Sequence, residues 1–131
     1  MLKRIANLLE NNSFYIAIIL TFLIAYLSFV SLNNIIPKLE FGYFDKIAHI
    51  ISYTSLSFSW FIALCLKKES NLKSIIIVLS ILIYGIIIEL IQGKIATNRE
   101  ADIFDVFSNL IGIIIGFGMF VLWTQKRKEL K

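Results

Sequence analysis

At 131 residues, 58% hydrophobic and only 17% charged, with a mean hydropathy of +0.81, the chain is too apolar for a water-soluble fold of its size. A bilayer can accept that composition. The lone Cys65 excludes an internal disulfide, no Cys/His spacing points to zinc, and the net charge of +4 reads as membrane topology rather than nucleic-acid binding.

The first long uncharged stretch lies between Glu10 and Lys38 and is apolar from Phe14 to Leu32. Lys3 and Arg4 precede it, as in a signal peptide, but the run is too long and no A-x-A-like site follows. It predicts a retained helix at 13–33, with Asn11, Asn12, Asn33 and Asn34 as boundary residues. Pro37 and Gly42 mark the loop into a second helix, predicted at 45–66. A hydrocarbon core of about 30 Å needs about 20 helical residues. The uncharged run Ile50–Leu66 has 17, so this helix reaches full length only by taking in Asp45, Lys46 and His49. The third, at 73–93, has 15 uncharged residues from Ser74 to Ile88 and must take in Glu89 and Gln92. The fourth, at 102–124, spans unaided on the 20 residues from Val106 to Gln125. Thr97 with Glu100 fits a capping box, which would start it nearer Thr97. The expected fold is all-α: a four-transmembrane-helix bundle forming one domain over residues 1–131.

Nine of the 13 basic residues lie before the first helix, between the second and third, or after the fourth. Positive-inside bias then puts both termini in the cytoplasm. The basic tail KRKELK reads as a solvated anchor, and Trp60 and Trp123 as belt or packing aromatics. In this topology the unusual polar residues gather at the outer face, a half with a net charge of −2 against +6 for the inner half.

Helical geometry puts residues three and four apart on one face. Asp45, His49, Tyr53 and Ser57 form one stripe; Gly85, Glu89 and Gln92 form a second. Asp102, Asp105, Asn109, Gly112 and Gly116 form a third, polar at the outer end and glycine deeper in. Gly112 and Gly116 are a small-xxx-small pair of the kind that lets helix backbones approach. A carboxylate facing lipid costs up to about 3 kcal/mol at a helix centre, so Glu89 is expected to turn inward, toward His49, Lys46 or Arg99. The three faces predict one polar pocket.

The segments DKIAHIISYTSL (45–56), ELIQ (89–92) and R-x-x-D-x-x-D-x-x-x-N-x-x-G, carried by Arg99, Asp102, Asp105, Asn109 and Gly112, resemble the VanZ-like family of small bacterial membrane proteins. The likeness covers residues 45 to about 118, with its three motifs in order. It implies a four-helix protein of the cell envelope, in the bacterial cytoplasmic membrane, from a family whose namesake is associated with low-level teicoplanin resistance. One departure is visible: the family often has an aromatic residue soon after the ELIQ-type motif, as in E-x-x-Q-x-F, whereas Gly93 and Lys94 follow here.

Three readings of the pocket follow. In the first it binds a polar head group, of a lipid or a lipid-linked cell-wall precursor, while the apolar body stays in the bilayer. Lys46 and Arg99 would hold phosphate or carboxylate. Asp45, His49, Tyr53, Glu89, Gln92, Asp102, Asp105 and Asn109 would complete the ligand set, with no cofactor or metal. In the second it is a membrane enzyme, acting by transfer or hydrolysis on a lipid-linked substrate, with His49 and Asp45 as general-base pair. In the third the polar residues only lock the helices in register. Buried polar contacts in membranes return about 0.6 kcal/mol each, little for so many ionisable groups. The first reading is therefore preferred.

Overall fold

The computed structural model describes residues 2–29, 42–66, 70–95 and 102–129. They form four helices: α1 (Leu2–Phe29), α2 (Gly42–Cys65), α3 (Asn71–Ile95) and α4 (Ile103–Glu129). Each is long and apolar enough to cross a membrane, and no strand occurs among the described residues. Isoleucine triplets such as 75–77 and 86–88 would favour strand in water. In lipid the backbone must satisfy its own hydrogen bonds, and the helix does so within one segment.

All four boundaries depart somewhat from expectation. α1 starts well before residue 13, and Asn12 sits inside it. Asn12 Nδ2 donates to the Leu8 carbonyl at 2.8 Å and Ser13 Oγ to the Glu10 carbonyl at 2.9 Å. Polar side chains that bond back to the preceding turn do not end a helix. The predicted end at 33, with Asn33 and Asn34, falls outside the described residues. Gly42 begins α2 rather than lying in the loop before it. α3 continues to Ile95, so Gly93 and Lys94 belong to its exposed surface. α4 starts at Ile103, capped by Asp102: Oδ1 accepts the Phe104 N–H at 2.8 Å, and the Asp102 carbonyl accepts the Asp105 N–H at 3.0 Å. The Thr97–Glu100 pair lies outside the described residues. α4 runs on to Glu129, past the predicted end at 124, with Lys126, Arg127 and Lys128 in the last turn, where the helix dipole favours cations.

α2 is the hub. It packs along α4 most extensively and then against α1; α3 rests on α4 and α2, and α1 meets α3 only lightly. The α2–α4 contact is a backbone contact. A Cβ on Gly112 would stand 2.6 Å from the Ile50 carbonyl oxygen, and one on Gly116 would stand 2.6 Å from that of Thr54. Between them Ser57 Oγ donates to the Ile113 carbonyl at 3.1 Å. Gly118, outside the pattern, has open space instead. Below this seam, Phe61 packs on Phe117 and Phe120 with ring centroids 5.0 and 5.4 Å apart. Outward-facing positions are apolar too, Phe22, Ile83 and Leu122 among them, the pattern of a bundle solvated by acyl chains.

At the basic end Arg127 Nη2 donates to Glu10 Oε2, joining α4 to α1 across 117 positions of sequence. The tail is thus partly engaged rather than wholly solvated. Trp60 lies edge-on to Phe14 and its Nε1–H donates to Thr21 Oγ1 at 3.2 Å; Trp123 lies edge-on to Phe58. Both are packing aromatics. Cys65 is buried.

Candidate functional site

The N-terminal turns of α2 and α4 and the C-terminal turns of α3 lie at the same end of the bundle. Close approach of α2 to α4, permitted by Gly112 and Gly116, brings their polar stripes into contact above that seam. Lys46 Nζ donates to Asp102 Oδ2 at 2.9 Å and to Asp105 Oδ1 at 3.3 Å, and stands 5.7 Å from the Phe104 ring centroid. The hydrogen bond from Lys46 is the main reason the Asp102 carboxyl titrates below its usual range, helped by the Phe104 N–H.

One turn deeper, His49 Nδ1 lies 2.9 Å from Asn109 Oδ1 and 3.7 Å from Glu89 Oε1. With its proton on Nδ1, His49 donates to Asn109 Oδ1, while Glu89 Oε1 stands beyond hydrogen-bond distance as a nearby carboxylate. Glu89 is 4% exposed, so the carboxylate does turn away from lipid and toward histidine. His49 stacks on Tyr53, their ring planes 14° apart. Tyr53 and Asn109, each 1% exposed, form the floor. Asp45 joins at the rim: one oxygen each from Asp45 and Asp105 and one His49 nitrogen lie within 4.8 Å of one another. Such a trio is chemically able to hold a divalent cation, with Lys46 already competing for Asp105.

Eight predicted residues, Asp45, Lys46, His49, Tyr53, Glu89, Asp102, Asp105 and Asn109, are therefore brought together. Gln92 is buried but turned elsewhere, its Nε2 donating to the Ser28 carbonyl on α1. Arg99 lies outside the described residues. Lys46 is held by two aspartates, Asp102 and Asp105. Gly85, one turn from Glu89 and first read as part of a stripe, faces the floor directly: a Cβ there would stand 3.0 Å from Asn109 Nδ2 and 3.1 Å from the Tyr53 hydroxyl.

One cavity lies beside this cluster, not in it. It has about 330 Å³, is almost wholly apolar, and lies between α1, α2 and α3, with Leu56, Trp60, Ile77, Ile81 and Tyr84 in its walls. Tyr84 connects the two features, its ring 6.4 Å from that of Tyr53 and its hydroxyl donating to the Thr21 carbonyl.

The family model described as VanZ/LLP1 matches residues 3–124. The chain belongs to that family. No curated protein and no solved structure matches it. The VanZ/LLP1 match extends over parts of all four helices, so it takes in α1 as well as the motif-bearing helices.

Proposed function

We propose that this VanZ-family protein binds the head group of a lipid or lipid-linked cell-wall precursor in the polar chamber. By holding that ligand it would alter susceptibility to glycopeptides such as teicoplanin. The reading includes an orientation: polar end outward, both termini in the cytoplasm, in the bacterial cytoplasmic membrane. One observation carries it. Five ionisable side chains, Lys46, His49, Glu89, Asp102 and Asp105, gather at one end of the bundle in two tiers, with ion-pair contacts of 2.9 to 3.7 Å. Ionisable groups within a membrane are expensive and mark functional sites by default. The apolar cavity beside the chamber suits an aliphatic chain. Arg99, outside the described residues, remains the candidate read from the sequence for holding a phosphate.

The test is to substitute Glu89→Gln and Asp105→Asn singly while measuring membrane abundance, co-purified lipid by mass spectrometry, and teicoplanin sensitivity. Loss of lipid and phenotype at unchanged abundance supports binding. Abundance that falls in step with phenotype supports the structural lock.

A second reading has its own observation, the Asp45–His49–Asp105 trio. It would serve a transfer or hydrolysis on a lipid-linked substrate, with His49 as base and its orientation set by Asn109. Turnover of such a substrate that disappears in His49→Ala would establish it.

A further inference from the structure

The apolar cavity has a position as well as a composition. Its α2 wall runs from Leu56 to Leu64 and its α3 wall from Ile76 to Tyr84. Each wall is about 12 Å long at about 1.5 Å of rise per residue. Both lie in the half of the bundle nearer the basic end: Tyr84 stands at the middle of α3, Ile76 within two turns of its start, and Leu64 beside the last residue of α2. One leaflet of hydrocarbon is about 15 Å deep, half of the whole core. The cavity therefore falls within the leaflet at the basic end and stops near the midplane.

Its walls accept a hydrocarbon chain and little else. Thr21 donates its hydroxyl to the Ala17 carbonyl and accepts from Trp60, and the Tyr84 hydroxyl donates to the Thr21 carbonyl, so these polar groups are already engaged. Ser80 aside, the remaining walls are apolar. Tyr84 also joins α3 to α1 at the midplane end, between the cavity and the polar cluster. Leu64 and Ile76, 42% and 53% exposed, belong to the outer surface of the bundle as well as to the cavity wall. Between α2 and α3 the cavity thus borders the acyl chains of its own leaflet.

Charge decides the head group. Lys73 stands three and four residues before Ile76 and Ile77, on the stripe that forms the α3 wall and one turn nearer the membrane surface. It is exposed, and no acid among the described residues pairs with it. Lys67 and Lys68 precede it in sequence against Glu69, and this half of the chain carries nine bases against three acids. Bases at the surface end of an apolar cavity attract an anionic head group. The polar end does the opposite, with a net charge of −2 and its Lys46 held by Asp102 and Asp105.

We propose that the cavity between α1, α2 and α3 receives one acyl chain of an anionic phospholipid from the leaflet at the basic end, with Lys73 against its head group. This lipid is distinct from the ligand of the polar chamber, and the proposal does not rest on that reading.

The experiment places the full chain in nanodiscs and measures, by native mass spectrometry, retention of phosphatidylglycerol against phosphatidylcholine with the same acyl chains. The expected result is at least a tenfold preference for phosphatidylglycerol. Lys73→Gln should lower it at least threefold and Lys73→Arg should restore it. Lys126→Gln, which removes an equally exposed charge from α4, should leave it unchanged. Ser80→Phe, which fills the cavity from a small, exposed wall position, should abolish the preference. Ser80→Leu, a smaller filling, keeps the test usable if Ser80→Phe does not fold. Equal retention of both lipids, a loss in Lys73→Gln no greater than in Lys126→Gln, or wild-type preference in both filled variants overturns the proposal. The head-group reading stands or falls separately, on Glu89→Gln and Asp105→Asn.

Discussion

The two ends of the bundle hold their helices by different means. At the basic end the ion pair of Glu10 with Arg127 is the one found among the described residues, and it ties α1 to α4. At the polar end Lys46, His49, Glu89, Asp102, Asp105 and Asn109 are gathered from three helices, and two buried donors of the floor, the Tyr53 hydroxyl and Asn109 Nδ2, have no hydrogen-bond partner among the described residues. Both ends also differ in what lies behind them. The polar cluster stands on the glycine seam, where α2 and α4 touch backbone to backbone, whereas the Glu10–Arg127 pair bridges two helices that do not otherwise pack. One ion pair suffices to join two helices; the surplus at the other end is what a binding site would need and a fastener would not.

The largest effect that could break this contrast lies in the seam. Gly112→Leu or Gly116→Leu should cost about 3 kcal/mol or more, since a backbone oxygen 2.6 Å away cannot give. Gly118→Leu should stay within about 0.5 kcal/mol. Thermal unfolding in detergent measures both; a tolerant Gly112 would mean the polar stripes do not depend on the seam for their alignment. Next comes a direct exchange of the two ends. Glu89→Gln is expected to reduce lipid retention tenfold or more with little change in unfolding temperature. Glu10→Gln should weaken the fold by about 0.6 kcal/mol, the usual worth of a polar contact in a membrane, and leave retention alone. The reverse pattern would move the site to the basic end.

A smaller effect concerns the rim. A double-mutant cycle on Lys46→Met and Asp105→Asn should give a coupling of about 0.5 to 1 kcal/mol, since Lys46 is 31% exposed and solvent screens the pair. A value near zero would show that this contact adds nothing to stability. The smallest effect is a titration. Asp102 is held below its ordinary value of 3.8, so its cap and ion pair are complete above that value and are lost as pH falls through the lowered one. The Phe104 amide resonance, whose N–H the carboxylate accepts, should therefore shift with a midpoint under 3.8. A midpoint at or above it would deny Lys46 its part.

The four helices and most of the polar cluster were legible in the sequence because bilayers punish the alternatives. A charge-free run of sufficient length has one stable conformation in lipid, and carboxylates at helical spacing have few cheap directions to face. Asp45, His49 and Tyr53 could be aligned by counting fours, as could Gly112 and Gly116. Helix ends were harder. Asn12 resembles a boundary residue and is harmless inside α1 because its amide bonds to the turn before it. Gln92 shares a face with Glu89 yet reaches Ser28, since spacing on one helix does not say which neighbour a long side chain meets. The Glu10–Arg127 pair had only a faint signal, the single acid ahead of Glu40 set against a basic tail. The floor donors were out of reach, for they depend on where Gly85 lands relative to two other helices.

The thin contact between α1 and α3 has a consequence for supply. The cavity there is walled by α1, α2 and α3 and is almost wholly apolar, so acyl chains suit it better than water does. An amphiphile with its chain there is drawn from a two-dimensional reservoir, the surrounding leaflet. Its occupancy would then follow mole fraction in the membrane and be nearly blind to concentration in the medium.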